Sequence, residues 1–233
     1  MDEAKGKSWA ALLLEVFTSP AKAFKEIAER PRFGAAGITL TIINLAFALL
    51  TLPKWREYSL MGVDFSEYAT EQMSADALEA LTQTTASVSH ILIAVLSPWV
   101  MSLIVVLLLK IFAAVRAKEA PFGSLFAVGI YGYAPVVLSA VIKNILIMFT
   151  AVENIDKVNL TLAVFAPTQS GFLYSFLTAC SPFTWWSLIL CGIGAAAVMK
   201  DKQPNGAIIF LFVLWLIYAL ILGALGNWAS ALY

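Results

Sequence analysis

The sequence predicts an all-α fold, a polytopic membrane helix bundle with five transmembrane helices and an N-terminal amphipathic helical arm. Of its 233 residues, 61% are hydrophobic and only 13% are charged, whereas the apolar share of a soluble domain usually lies near half. Apolar segments of about the length that a bilayer requires occur at about 34–52, 88–109, 122–143, 183–199 and 207–227. Residues 33–233 are therefore predicted to form the transmembrane domain, and residues 1–32 a cytoplasmic arm.

The arm contains two short amphipathic helical stretches. The first places Trp9, Leu12, Leu13, Val16 and Phe17 on one helix face. A break follows at residues 19 and 20, since serine caps helices well and proline is tolerated at the first helical position. The second stretch is apolar on one side and basic on the other.

Two interpretations of the arm stay open. Basic amphipathic helices are typical of a segment that lies flat against anionic lipid headgroups, and the same pattern fits a helix packed on the protein's own loops. The residues expected at the membrane surface are Trp9, Phe17, Lys22, Phe24, Lys25, Arg30 and Arg32.

The third apolar segment, 122–143, carries a stripe at helical spacing in which every member but one is small or polar. Small residues let neighbouring helix backbones approach closely, so this helix is predicted to be central in the bundle. The stripe consists of Gly129, Gly132, Val136, Ser139, Ala140 and Lys143.

Two prolines interrupt the central spans. Pro98 leaves the carbonyl of Ala94 without its helical donor, and Pro135 does the same to the carbonyl of Tyr131. We therefore expect spans two and three to kink or loosen near mid-membrane. Together with Gly129, Gly132 and Tyr133, these prolines are the predicted structural motif residues.

The distribution of basic residues predicts the orientation. With the N-terminus inside, eleven Lys or Arg fall on the cytoplasmic side and four on the other, a clear positive-inside bias. The N-terminus is predicted to be cytoplasmic and the C-terminus outside. Asp2 and Glu3 place acid where a secretory leader would be basic, so no signal peptide is expected. A short helix is expected at 171–179, in the outer loop before span four.

Composition argues against several functional classes. The formal net charge is zero and the basic residues are scattered, so no nucleic-acid partner is expected. One histidine and two widely spaced cysteines predict no metal site and no cofactor. The predicted spans contain no Asp or Glu, the usual partners of protons or sodium in coupled transporters. No catalytic constellation stands out, and the protein is predicted not to be an enzyme.

Polar residues of spans two and three are the candidates for lining a ligand cavity. His90 and Lys143 are predicted to lie at similar depth, and ionisable groups in membrane segments are functional candidates. The simpler alternative is that Lys143 reaches the outer interface and His90 caps a helix. The full candidate set is His90, Ser97, Tyr131, Ser139 and Lys143.

Two separated stretches resemble the Yip1 family of membrane proteins, in its prokaryotic branch. One is 17–20 (Phe-Thr-Ser-Pro) with 24–31 (Phe-Lys-Glu-Ile-Ala-Glu-Arg-Pro), which is similar to the segment before the first span of that family. The other is 132–135 (Gly-Tyr-Ala-Pro), with support from 182–186 (Pro-Phe-Thr-Trp-Trp) and the glycines at 192 and 194. The resemblance implies five helices, a cytoplasmic N-terminus and no known catalysis.

The resemblance also limits which family function can be transferred. Eukaryotic relatives act in vesicle traffic and associate with Rab-type GTPases through longer N-terminal regions, and the short arm of this chain does not match that feature. Our leading hypothesis is a non-enzymatic protein of a bacterial or archaeal cell membrane that binds membrane lipids, or other membrane proteins or itself, and organises or shapes the membrane. The alternative is a channel or facilitator for a small solute or lipid, through a polar cavity between spans two and three.

Overall fold

The computed structural model describes residues 7–70 and 73–230. Asp2 and Glu3, on which the expectation of no signal peptide depends, lie outside these ranges. Within them all regular secondary structure is helical, apart from short 3₁₀ turns and one isolated bridge between Thr70 and Met73. The α-helices are α1 Trp9–Thr18, α2 Pro20–Glu29, α3 Gly34–Tyr58, α4 Phe65–Tyr68, α5 Ala75–Val115, α6 Phe122–Gly132, α7 Ala134–Phe149, α8 Gly171–Ala179, α9 Pro182–Val198 and α10 Asn205–Ser230.

Among the described residues, four helical segments are long and apolar enough to cross a membrane. They are α3, α5, the run Phe122–Phe149 formed by α6 and α7, and α10 over Asn205–Trp228. The helices α8 and α9 meet at a bend of 45°, and this pair is either one broken span or a re-entrant loop. The prediction of an all-helical membrane bundle is confirmed, with four or five candidate spans by length and composition. The short helix expected at 171–179 is present as α8.

The second and third predicted spans differ from the helical segments that contain them in ways that matter for the site residues. The second, expected at 88–109, lies within the 41 residues of α5, because the alanine- and leucine-rich segment before it is also a good helix former. The third, expected to end at Lys143, continues to Phe149, so Lys143 lies inside α7 and not at its end. The break between α6 and α7 falls at Tyr133, just before Pro135, which has no N–H to donate.

The chain forms two compact units. The first contains the described residues of Met1–Leu40, Pro98–Ser139 and Leu160–Tyr233. The second contains those of Thr41–Ser97 and Ala140–Asn159. The first unit therefore holds the whole of α1, α2, α6, α8, α9 and α10, whereas α4 belongs to the second.

In the first unit the apolar side of the arm packs on the protein itself. The helix α2 lies against α9 and α6, and the side chains of Phe24 and Ile27 are completely buried. The helix α1 contributes Leu12 and Val16 to buried positions. The sequence left open whether the arm contacts lipid or the protein itself. The apolar side chains of α2 pack on the protein, and they contact helices instead of loops.

Glycines allow this close approach of helices. A Cβ on Gly194 would lie 2.8 Å from Cδ1 of Phe24 and closer still to Val128, so Gly194 lets α2 and α6 approach α9. A Cβ on Gly192 would lie 3.0 Å from the backbone N and Cα of Ile208 in α10. Small residues permit such backbone contact between membrane helices. The glycines at 192 and 194 are therefore packing positions.

Contacts with α10 hold α8, the first helix of the bent pair α8 and α9. The Nε1 atom of Trp215 donates a hydrogen bond to the carbonyl oxygen of Ala179, at 3.2 Å. Cβ atoms on Gly223 and Gly226 would collide with Phe172 and Ser175 of α8. The chain turns from α8 into α9 while α8 stays packed along α10.

The helices α5 and α9 end in the same way, and ion pairs join the two ends. A non-glycine residue of positive φ follows each helix, Ala117 at 51° and Lys200 at 54°. The next residue donates its N–H to a carbonyl five positions earlier, which is the Schellman arrangement. The donors of these two bonds, Lys118 and Asp201, also form an ion pair, with Lys118 Nζ 3.0 Å from Asp201 Oδ1. Arg116 joins the same carboxylate, with its Nη1 atom 3.7 Å from Asp201 Oδ2.

We expect Gly192→Ala to lower the thermal stability of the detergent-purified protein. The added methyl group meets backbone atoms of Ile208, which cannot rotate away, and overpacking of this kind costs about 1–3 kcal/mol. Gly123→Ala is the matched control, because a Cβ there meets nothing within 4 Å and alanine favours the helix. Equal melting temperatures for the two variants would contradict the close contact between α9 and α10.

Candidate functional site

One face of α3 carries polar side chains into the interior of the second unit. Asn44, Ala48 and Thr51 are spaced i, i+4 and i+7, which places them on one helix face, and all three are buried. Polar groups at membrane depth have no water to bond and take partners inside the protein. We call Asn44, Thr51, His90, Ser97 and Asn144 the polar cluster.

Asn44 supplies a hydrogen bond that a proline removes from α5. Its Nδ2 atom donates to the carbonyl oxygen of Ala94 at 2.9 Å and lies 3.3 Å from Oγ of Ser97. Ala94 stands four residues before Pro98, which has no N–H to offer this carbonyl. The side-chain amide satisfies the carbonyl instead, and α5 continues as a helix through the proline.

Thr51 and His90 are both engaged inside the polar cluster. Thr51 Oγ1 donates to Oδ1 of Asn144 at 2.7 Å. His90 Nε2 lies 3.2 Å from the carbonyl oxygen of Ala48, and because a carbonyl can only accept, we assign the hydrogen to Nε2. The imidazole also stands 5.7 Å from the ring of Trp55. His90 is therefore held as a donor to the protein's own backbone.

Lys143 of α7 belongs to the same unit as His90. Its side chain is half-buried. In the described part of the chain no hydrogen bond or ion pair involves its ammonium group. Of the five predicted cavity residues, three therefore belong to the second unit, namely His90, Ser97 and Lys143, and Ser97 stands beside Asn44.

Tyr131 and Ser139 belong to the first unit. Tyr131 is completely buried, and its hydroxyl donates to the carbonyl oxygen of Arg32 at 3.0 Å. This hydrogen bond joins α6 to the end of the arm. Ser139 is half-buried. The motif glycine Gly132 contacts α9, since a Cβ there would lie 2.5 Å from Sγ of Cys191.

Two basic residues of α3 have partners that sequence reasoning missed. Lys54 Nζ donates to the carbonyls of Ile147 and Met148 at 3.0 and 2.9 Å, near the C-terminal end of α7, where the helix dipole favours a cation. Arg56 Nε donates to Oγ of Ser87 at 2.6 Å.

The spacing of Asn44 and Thr51 could have revealed the polar cluster. No pattern reveals the partners of Lys54, because every sequence has backbone carbonyls.

The predicted membrane-surface residues of the arm divide into two groups. Phe24 is buried in the bundle, and Phe17 stands edge-on to Trp186 with ring centroids 5.3 Å apart. Trp9 and the four basic residues are exposed at the surface of the first unit. These four are Lys22, Lys25, Arg30 and Arg32.

Metal-binding geometry is not found in the described ranges. No group of three or more His, Cys, Asp or Glu side chains within them could hold a metal ion. Cys180 and Cys191 are both buried free thiols.

We expect Asn44→Leu to lower the stability of the protein by about 1–3 kcal/mol, because the buried carbonyl of Ala94 loses its donor. Adding Pro98→Ala restores a backbone N–H at the position where that carbonyl expects one. The double variant should therefore recover part of the lost stability in thermal unfolding. An equal loss with and without Pro98→Ala would show that the amide does not replace the missing N–H.

Comparison with known proteins identifies the family to which this fold belongs. The sequence model of the Yip1 domain matches residues 14–225, which include α2, the polar cluster and the candidate spans up to three residues before the end of the last one. Neither the curated proteins nor the solved structures give a significant match. The chain is an integral membrane protein of the Yip1 family.

Proposed function

We propose that this protein is non-enzymatic, that it binds lipid or partner membrane proteins, and that through this binding it organises or shapes the membrane. The placement of the arm's charges is the observation that carries the proposal. Because the apolar side of α2 packs on α6 and α9, its opposite side is held in a fixed position. Lys22 and Lys25 stand on that exposed side, and the exposed Arg30 and Arg32 follow.

This basic surface lies next to the start of a candidate span. A single residue separates Arg32 from Gly34, where α3 begins, and α3 is apolar enough to cross a membrane. Charges at the end of such a helix lie at headgroup level, where each Lys or Arg contributes about 1 kcal/mol of attraction to an anionic leaflet. We call Lys22, Arg30 and Arg32 the arm cations.

The proposed topology has five spans, with α8 and α9 as the broken fourth span. The positive-inside bias of eleven basic residues to four supports a cytoplasmic N-terminus and an external C-terminus. In this topology residues 1–32 are the cytoplasmic arm and residues 33–233 the transmembrane domain. We place the protein in the prokaryotic branch of its family, in a bacterial or archaeal cell membrane.

The engagement of the polar side chains supports a non-enzymatic role. His90 donates to a backbone carbonyl, and Tyr131 donates to another. Catalytic acids and bases need a reacting group within hydrogen-bond reach, whereas these two groups bond the protein itself. Their positions are those of side chains that stabilise a bundle.

The arm cations can be tested in the full-length protein. We expect the triple variant Lys22→Gln, Arg30→Gln, Arg32→Gln to show a weaker preference for anionic lipid than the wild type. Both proteins are reconstituted in phosphatidylcholine vesicles in which about a quarter of the lipid is phosphatidylglycerol. They are then extracted with a polymer that retains neighbouring lipid, and the lipid is quantified by mass spectrometry.

Phosphatidylglycerol should be enriched around the wild-type protein, and the enrichment around the variant should be smaller. Lys157→Gln is the control, since this exposed lysine belongs to the other unit and bonds Asn154. The enrichment should also weaken at high salt, because salt screens exposed charges. Equal enrichment around wild type and triple variant would remove the arm cations from the mechanism.

The environment of Lys143 supports a second candidate function, that of a channel or facilitator. A half-buried cation without a described ion pair is unusual in a membrane helix, and such residues often mark solute pathways. Three other residues proposed to line that pathway are His90, Ser97 and Tyr131. All three take part in hydrogen bonds within the protein, which supports the leading proposal over this one.

Flux measurements separate the two functions. We expect liposomes that contain the purified protein to release no entrapped chloride, phosphate or amino acid faster than empty liposomes. Liposomes that contain Lys143→Met should release these solutes at the same rate as liposomes with the wild type, because under the leading proposal Lys143 has no role in a solute pathway. Protein-dependent release that Lys143→Met abolishes would establish the channel and overturn the leading proposal.

A further inference from the structure

A groove of about 850 Å³ opens in the first unit between α2 and the turn that joins α9 to α10. Four alanines form much of its wall, and these small side chains leave the space open. They are Ala21 and Ala28 of α2 and Ala196 and Ala197 of α9. A volume of this size lies in the upper part of the range of small-molecule pockets, about 300–1,000 Å³. It exceeds what a single phosphate ion would fill.

Charged residues line the same groove. Lys25, Lys200 and Lys202 are all exposed at its edge. Two acids are also present, Glu29 and Asp201, but Asp201 is already paired with basic residues at the end of α5. The lysines therefore outnumber the acidic charge that can neutralise them. The groove combines an apolar wall with an excess of positive charge.

The level of the groove in the bilayer follows from the helix beside it. The turn at 200–204 directly precedes α10, which is apolar enough to cross a membrane. The start of such a helix lies where the hydrocarbon gives way to headgroups. A ligand in the groove therefore meets hydrocarbon on one side and headgroups on the other.

We propose that this groove binds one anionic phospholipid. Lys25, Lys200 and Lys202 hold its phosphate, and the first part of an acyl chain lies against Ile193 and Ala197. This inference rests on the proposed function, to which it adds a ligand class and a site separate from the arm cations. Free phosphate is also an anion, but it leaves the apolar wall and most of the volume unused.

Native mass spectrometry of the full-length protein tests the site. The protein is extracted in a mild detergent from vesicles of phosphatidylcholine and phosphatidylglycerol. The wild type should retain one phosphatidylglycerol. The groove variant, Lys25→Gln, Lys200→Gln, Lys202→Gln, should retain it at least about fivefold less, the factor expected from a single lysine. Equal retention by the wild type and the groove variant would overturn the site.

The arm-cation variant is the matched control, because it also replaces three basic residues by glutamine. It should keep the retained lipid that the groove variant loses. Failure of the groove and failure of the proposed function are thus distinguishable. The proposed groove site is contradicted if the groove variant keeps the bound lipid. The proposed role of the arm cations is contradicted if the arm-cation variant keeps the full enrichment of anionic lipid around the protein.

Two further measurements test the acyl-chain contact. Ala197→Phe fills the groove without changing its charge and should also release the lipid, so retention by this variant would contradict the proposed placement. Phosphatidylglycerol with a photoreactive acyl chain should label the wild-type protein at 193–197, and labelling elsewhere alone would overturn the placement. Displacement of the retained lipid by inorganic phosphate would show a simple anion site and would contradict the proposal.

Discussion

Polar groups within a bilayer must find their hydrogen-bond partners inside the protein, and this constraint governs the interior of the second unit. Pro98 would leave a carbonyl of α5 without a donor at membrane depth, and Asn44 of α3 supplies one. Thr51 and Asn144 bond each other in the same way. Each of these pairs joins two helices, so the requirement to satisfy polar groups also fixes which helices are neighbours. The hydrogen bonds of the polar cluster thus hold the helices of the second unit together.

Attachment of the arm to the bundle determines how its charges can act. The buried Phe24 lies close to Gly194, and the hydroxyl of Tyr131 bonds the backbone at Arg32. An arm held at both points cannot insert its apolar side into lipid without leaving the bundle. Its basic side instead faces outward from a fixed position. Interaction with headgroups would then depend on charge alone, which makes it sensitive to salt and to the anionic lipid content.

The sequence predicts the helical membrane fold because hydropathy is a local property that each segment carries by itself. It could not decide what the apolar side of α2 contacts, since an amphipathic helix has the same pattern on lipid and on protein. Gly132 and Gly194 could be predicted as packing positions, but their partners could not. His90 and Ser97 were identified as polar residues in a span. Their bonds to Ala48 and Asn44 come from a helix more than forty residues away, and periodicity does not specify such pairs.

The groove and the tight contact beside it belong to the same pair of helices, and this contrast argues for an occupant. At Gly194 the side chain of Phe24 comes so close that no Cβ fits. About one helical turn later, at Ala197 and Ala28, the same two helices line an open space. In a bilayer an apolar groove at the edge of the hydrocarbon does not stay empty, because lipid chains are the solvent there. The lysines around it then determine which lipid is bound most tightly, and they favour one that carries a net negative charge.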